Sequence, residues 1–212
     1  MHSRSIAIRW DAPNRSPKRV INMREERDVS RPPPDPHGYM VSAKGIHLAC
    51  HALASVEFFR KELDAFQIAT SRAVALNPMD GFTLAYLRFL TAYAGDWERG
   101  GALSARARSL NPHHPGWYWF VPCFDAYRKG DYKTSLEFAH TVNMPGFWRS
   151  QLAIAANCGQ LGQKAAANDA LQTLLMQRPD IAKLPCEELA IWWQPDMVEH
   201  LVAGLCKAGL EV

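Results

Sequence analysis

Two stretches of the chain repeat one phrase, Ala73-Val74-Ala75-Leu76-Asn77-Pro78 and Ala107-Arg108-Ser109-Leu110-Asn111-Pro112, at a separation of 34 residues. Prolines that close helix-patterned segments recur at Pro78, Pro112, Pro145 and Pro179, in steps of 34, 33 and 34. Proline lacks a backbone donor and pushes the preceding residue out of the helical region, so each is a natural stop. Midway through each unit lies a second break: Lys61-Glu62, Gly95-Asp96-Trp97, Gly130-Asp131-Tyr132 and Gly162-Gln163. Glycine at such a break takes the left-handed conformation that ends a helix. Each unit therefore reads as helix, tight turn, helix, with helices expected over 42–59, 62–76, 80–94, 97–110, 115–129, 132–143, 147–160 and 163–177.

Small residues fall where antiparallel partners have to approach closely: Ala69 and Ala73, Ala105 and Ala107, and Ala166, Ala167 and Ala170, all on second helices. The third unit is two residues short between Gly130 and Pro145, and Thr141-Val142-Asn143-Met144-Pro145-Gly146 is a poor helix end, so an irregularity is expected there. Beyond Pro179 a weaker helix through 187–193, a helix start at Pro195 and a helix over 197–207 form an expected C-terminal cap, which a stack needs to cover its last apolar face.

The chain has 212 residues, 48% of them apolar, and its 13 glycines and 14 prolines are too few for a collagenous or wholly disordered chain. No apolar run is long enough for a membrane span or a secretory signal, which places the expected location in the cytoplasm. The five cysteines are widely spaced without a CxxC pair, so neither a disulfide framework nor a zinc knuckle is indicated. Residues 1–45 hold nine Lys/Arg against five Asp/Glu, whereas 46–212 hold fifteen against sixteen. The body thus offers no broad basic footprint for nucleic acid, and Glu25, Glu26 and Asp28 dilute the basic residues of the arm.

With these residues in view, the chain resembles tetratricopeptide repeat (TPR) proteins over about 46–179, whose unit length is the period found here. The stretches Leu110 to Trp119 (LNPHHPGWYW), Asp125 to Tyr132 (DAYRKGDY) and Gly204 to Leu210 (GLCKAGL) are similar to the TPR regions of bacterial class III adenylate cyclase-like and winged-helix signalling proteins. The resemblance implies an all-α, right-handed solenoid of antiparallel helix pairs. It would comprise a basic, Pro-rich flexible arm at 1–40, four repeats at about 42–78, 79–112, 113–145 and 146–179, and capping helices over 180–212. It further implies a noncatalytic scaffold that binds a protein or peptide in its concave groove, in bacterial signalling or regulation. The alternative is a detached regulatory arm of a multidomain cyclase or transcription regulator, since residues 1–45 are too few to hold a cyclase domain or a winged helix.

In such a stack the first helices line the groove. The register puts there Phe82, Phe89 and Tyr93 from the second unit, Trp117, Phe120, Phe124 and Tyr127 from the third, and Arg128 and Arg149 beside them. Aromatic anchors with arginines that fix a carboxylate or carbonyl suit a peptide. The positions that form a cationic clamp for chaperone tails in one TPR variant hold His51, Ser55, Tyr86, Trp117 and Val121 instead. His47, Cys50 and His51 share a helical face at metal-ligand spacing but lack a fourth ligand, and are read as an ordinary helix face. No phosphate loop, HExxH or nucleophile elbow is present, and Glu187-Glu188 point about 100° apart on a helix, so no enzyme activity, metal or cofactor is expected. Self-association is left open.

Overall fold

The structure is a computed structural model that describes residues 36–211, with side chains from Gly45 onward; most of the expected arm, residues 1–35, lies outside the described residues. Among the described residues there are ten α-helices and no strand. They are α1 (Pro36–Phe59), α2 (Leu63–Leu76), α3 (Gly81–Tyr93), α4 (Trp97–Leu110), α5 (Phe120–Arg128), α6 (Tyr132–Val142), α7 (Trp148–Gln160), α8 (Lys164–Gln177), α9 (Pro185–Ala190) and α10 (Pro195–Ala208). Helix α1 starts six residues before its expected start, absorbing the end of the arm, with Pro36 at a first-turn position where a missing donor costs nothing.

Consecutive helices pack as pairs, α1 on α2, α3 on α4, α5 on α6 and α7 on α8, and the odd helices α1, α3, α5 and α7 touch in chain order. The turn inside each pair has one design. Lys61, Gly95, Gly130 and Gly162, with φ of 63°, 107°, 78° and 70°, each reverse the chain at the sequence break. The helix that follows is capped by an aspartate in two pairs: Asp96 accepts from the Arg99 amide and Asp131 from that of Thr134. Between pairs, Asp80 caps α3 by accepting from the Phe82 and Thr83 amides. Ala69, Ala73, Ala107, Ala139, Ala167 and Ala170 are buried where second helices meet their partners.

The expected irregularity appears as Asn143 with φ 46°, ending α6 at Val142. Its companion is a departure from expectation: residues 116–119 form a separate 3₁₀ turn, and α5 begins at Phe120 rather than near 115. Gly116 lies against the Val142 carbonyl, where any side chain would collide, and this contact pins the turn.

The C-terminal region also departs from the expected helix over 187–193. Helix α9 stops at Ala190, and Trp192 and Trp193 lie in a turn before α10. Pro195 dictates this, because it holds Gln194 extended at ψ 159° and excludes a continuous helix. Helix α10 then packs along α7 and reaches α8. Gly159 of α7 faces the Gly204 carbonyl, and Gly204 faces the Tyr127 hydroxyl and the Ala156 carbonyl, so the two backbones meet with no room for a Cβ. Tyr127 donates to the His200 carbonyl at 2.9 Å, tying α5 to the same helix. One continuous core runs from Cys50 in α1 to Leu210, with Phe58, Phe66, Phe120, Phe124, Tyr127 and Trp193 at its centre.

Gly204→Val is expected to cost about 1–3 kcal/mol through overpacking at this contact. Gly101→Ala, mid-helix with nothing near its missing Cβ, is expected to stabilise by about 1 kcal/mol through helix propensity. Guanidinium denaturation of the two variants beside the parent chain checks both.

Candidate functional site

The odd helices present one shared face whose residues recur at the repeat offset, Leu48 with Phe82 and Phe59 with Tyr93. Its two ends are in different states. Around the middle of α1 and the start of α3 the face is open: Leu48 is 60% and Phe82 65% exposed. Phe82 meets the half-buried Trp117 edge-on at 6.2 Å, and His51 lies 5.1 Å from Tyr86. Near the ends of the same helices the face is covered by the turn that follows α9.

Trp193 enters this covered end and is buried among Tyr93 of α3 (4.8 Å between ring centres), Phe124 of α5 (5.1 Å) and Trp148 of α7 (6.3 Å). Its neighbour Trp192, half-buried, stands edge-on to Phe59 of α1 at 5.0 Å and to Phe89 of α3 at 6.4 Å. The Arg149 guanidinium lies 3.7 Å from the Trp192 ring centre and 4.4 Å from that of Trp148, with Phe89 and Phe147 completing a cage of rings. Lys61 donates to the Ile191 carbonyl at 3.0 Å, so the turn reaches from α7 back to the end of α1.

This geometry sorts the nine residues expected to line a groove. Phe82, Trp117 and Arg128 reach solvent, although Arg128 is paired with Asp125 at 2.8 Å and lies over Trp97. Phe89, Tyr93, Phe120, Phe124 and Tyr127 are buried in the core, and Arg149 is only 4% exposed. In the folded chain these six side chains therefore face other parts of the protein rather than solvent. Phe89, Tyr93, Phe124 and Arg149 lie against the 191–194 turn, whereas Phe120 packs on Phe147 and Tyr127 on His200. Sequence reasoning missed Trp192 and Trp193 as members of this face. The signal was there: two adjacent tryptophans just before a proline that breaks their helix.

The covered end is rich in donors and poor in acceptors. The Arg149 Nε and Nη2, the Tyr93 hydroxyl and the Trp193 indole nitrogen have no hydrogen-bond partner among the described residues. Burial pulls the Arg149 guanidinium down to about 10, still charged at neutral pH, and pushes the Tyr93 phenol well above its ordinary value. Arg88, fully buried over Tyr118 at 4.1 Å, is likewise without a hydrogen bond and is lowered to about 9 by burial. Beside the turn a cavity of about 480 Å³ opens, lined by Tyr93, Trp97, Arg128, Gln194, Asp196 and His200 among others.

His47, Cys50 and His51 do not converge on a common point. His47 is buried and contacts the Ala73 carbonyl (3.1 Å), Asp80 (3.1 Å) and Thr83 (3.3 Å), while Cys50 is a buried thiol. Among the described residues no three His, Cys, Asp or Glu side chains are grouped as a metal site requires. Burial alone would raise the Asp80 carboxyl, but its bonds from the Thr83 hydroxyl and amide and from His47 outweigh that and hold it below 3.8. Glu188 pairs with Arg178.

Asp80→Ala is expected to cost about 1–2 kcal/mol at neutral pH by loss of the α3 cap. Because the folded carboxyl titrates below its ordinary value, the parent's advantage is full above about pH 4 and fades as pH falls through the lowered folded value, which chemical denaturation at several pH values follows. Trp193→Ala is expected to lose about 3–5 kcal/mol, and Trp192→Ala, half-exposed, clearly less, by the same assay. No protein-family model matches the chain, and no curated protein matches it, so the odd-helix face itself carries the functional reading.

Proposed function

We propose that the protein is a noncatalytic scaffold of the tetratricopeptide type, a right-handed solenoid whose odd helices form a concave face that binds a protein segment. The observation that carries this reading is the open end of that face, where Leu48 and Phe82 stand exposed, Tyr86 is half-buried, and the half-buried Trp117 of the 116–119 turn meets Phe82 edge-on. Large apolar side chains left in water side by side mark an interaction surface, and aromatic anchors supply contact area at low entropy cost. The 34-residue period and the matching turn geometry at residues 61, 95, 130 and 162 support the repeat assignment. A role in bacterial signalling or regulation follows from the resemblance stated above, and the cytoplasm is the location proposed with it.

A second reading, the regulatory arm of a multidomain cyclase or transcription regulator, draws on α1. Its outer face carries Ile46, Ala49, Ala52, Leu53 and Val56, all exposed and with no charge among them, as a face packed on a further element would.

The test of the first reading is affinity capture from the source lysate with the tagged chain and a Phe82→Ala, Trp117→Ala variant, both checked for helical content. Loss of the captured partner by about tenfold or more with the fold intact is expected, as for removal of two aromatic anchors. A partner retained at full yield counts against the open end of the face as the binding surface.

A further inference from the structure

We infer that the Ile191 to Gln194 turn is an internal occupant of the binding face, and that the partner it yields to is a protein segment with two adjacent aromatic residues followed by a carboxylate. The inference rests on the binding reading above and names the chemistry of its ligand. Three observations carry it.

The turn makes contacts that a stack of neighbouring units does not make. Through Phe59, Lys61, Phe89, Tyr93, Phe124 and Trp148 it touches the first helices of all four pairs. It also engages as a peptide ligand does, with one fully buried anchor, Trp193, and one half-buried anchor, Trp192, presented by irregular backbone.

Its fit is incomplete, however. The Arg149 Nε and Nη2 and the Tyr93 hydroxyl stay without an acceptor while the turn is in place, and no ion pair to Arg149 forms among the described residues. A buried donor left unsatisfied is a standing cost, and a carboxylate is the acceptor that a guanidinium takes most strongly. A segment that repeats the aromatic pair and adds a carboxylate makes the contacts of the turn and satisfies donors that the turn leaves empty. That is the differential affinity by which a ligand displaces a competitor tethered to its own site. The cavity beside Gln194, with Tyr93 and Arg128 in its wall, gives such a segment a path out of the face.

The probes are two synthetic peptides, acetyl-Ile-Trp-Trp with a free C-terminal carboxylate and the same peptide as its amide. They are titrated calorimetrically into the full chain, Trp192→Ala and Arg149→Gln, each checked for helical content. The acid peptide is expected to bind Trp192→Ala about tenfold more tightly than the parent chain, the size of a typical coupling between competing occupants. The amide is expected to bind more weakly than the acid to both, and Arg149→Gln to erase that preference. Equal affinity for parent and Trp192→Ala, equal affinity of acid and amide, or no binding to any folded chain overturns the inference. Should Trp192→Ala lose its helical signal, Trp192→Leu, which keeps apolar bulk without stacking on Arg149, takes its place under the same criteria. Failure of the peptides while capture through Phe82 and Trp117 persists removes the internal occupant and leaves the scaffold reading standing.

Discussion

Trp193 holds together parts of the chain that helix pairing alone leaves separate. Alanines close each pair from within, and in doing so they turn the larger apolar side chains of the odd helices toward a single face. A face that apolar has to be covered, and the indole of Trp193 covers it by standing between Tyr93, Phe124 and Trp148, one ring from each of three helices. Such ring pairs add about 0.5–1.5 kcal/mol apiece beyond the area they bury. The course of the chain after α8 serves that insertion: α9 is short, Pro195 forbids a helix across the tryptophans, and the glycines at 159 and 204 let α10 settle against α7 close enough to hold the turn down.

The helical stack was legible in the sequence because its punctuation is local. Proline ends a helix whatever surrounds it, and a glycine after a helix signals a left-handed residue, so seven of the eight expected repeat helices start within one residue of their observed start or, in α1, are simply longer. Lys61 was legible only by its place in the period, since nothing in lysine itself announces a φ of 63°. The 3₁₀ turn at residues 116–119 was hidden, because it depends on the Val142 carbonyl, far away in sequence. The face was half legible. Periodicity puts Phe89, Tyr93 and Phe124 on one face, but it cannot say whether water or another part of the chain lies on top of them. That question is settled by Trp192 and Trp193, whose contacts span 100 residues or more back to α3 and α1.

Two arginines shape the electrostatics of the interior without any carboxylate beside them. Arg88 sits over Tyr118 and Trp117, and Arg149 within four rings, so the ring faces take the place that water or an acid normally holds. Guanidinium is the cation suited to this, being flat, delocalised and weakly hydrated. The compensation is partial, because a ring face accepts charge without accepting each N–H. The protein therefore keeps positive charge in a dry place with donors unspent, and at Arg149 it does so beside the tryptophans of the 191–194 turn. Framework and binding chemistry coincide there: the residues that make the stack cohere are those an aromatic, acidic ligand would seek.

The bond from Lys61 to the Ile191 carbonyl joins residues 130 positions apart. On a ribosome adding about 5–20 residues each second, the first helix pair is finished roughly ten seconds before the segment that covers its aromatic edge exists. During that interval the nascent chain shows Phe59, Phe89 and Tyr93 to whatever is nearby, and only the segment that carries Trp192 and Trp193 brings the shield. Chains cut short before Trp192 would keep all four pairs and still lack that shield.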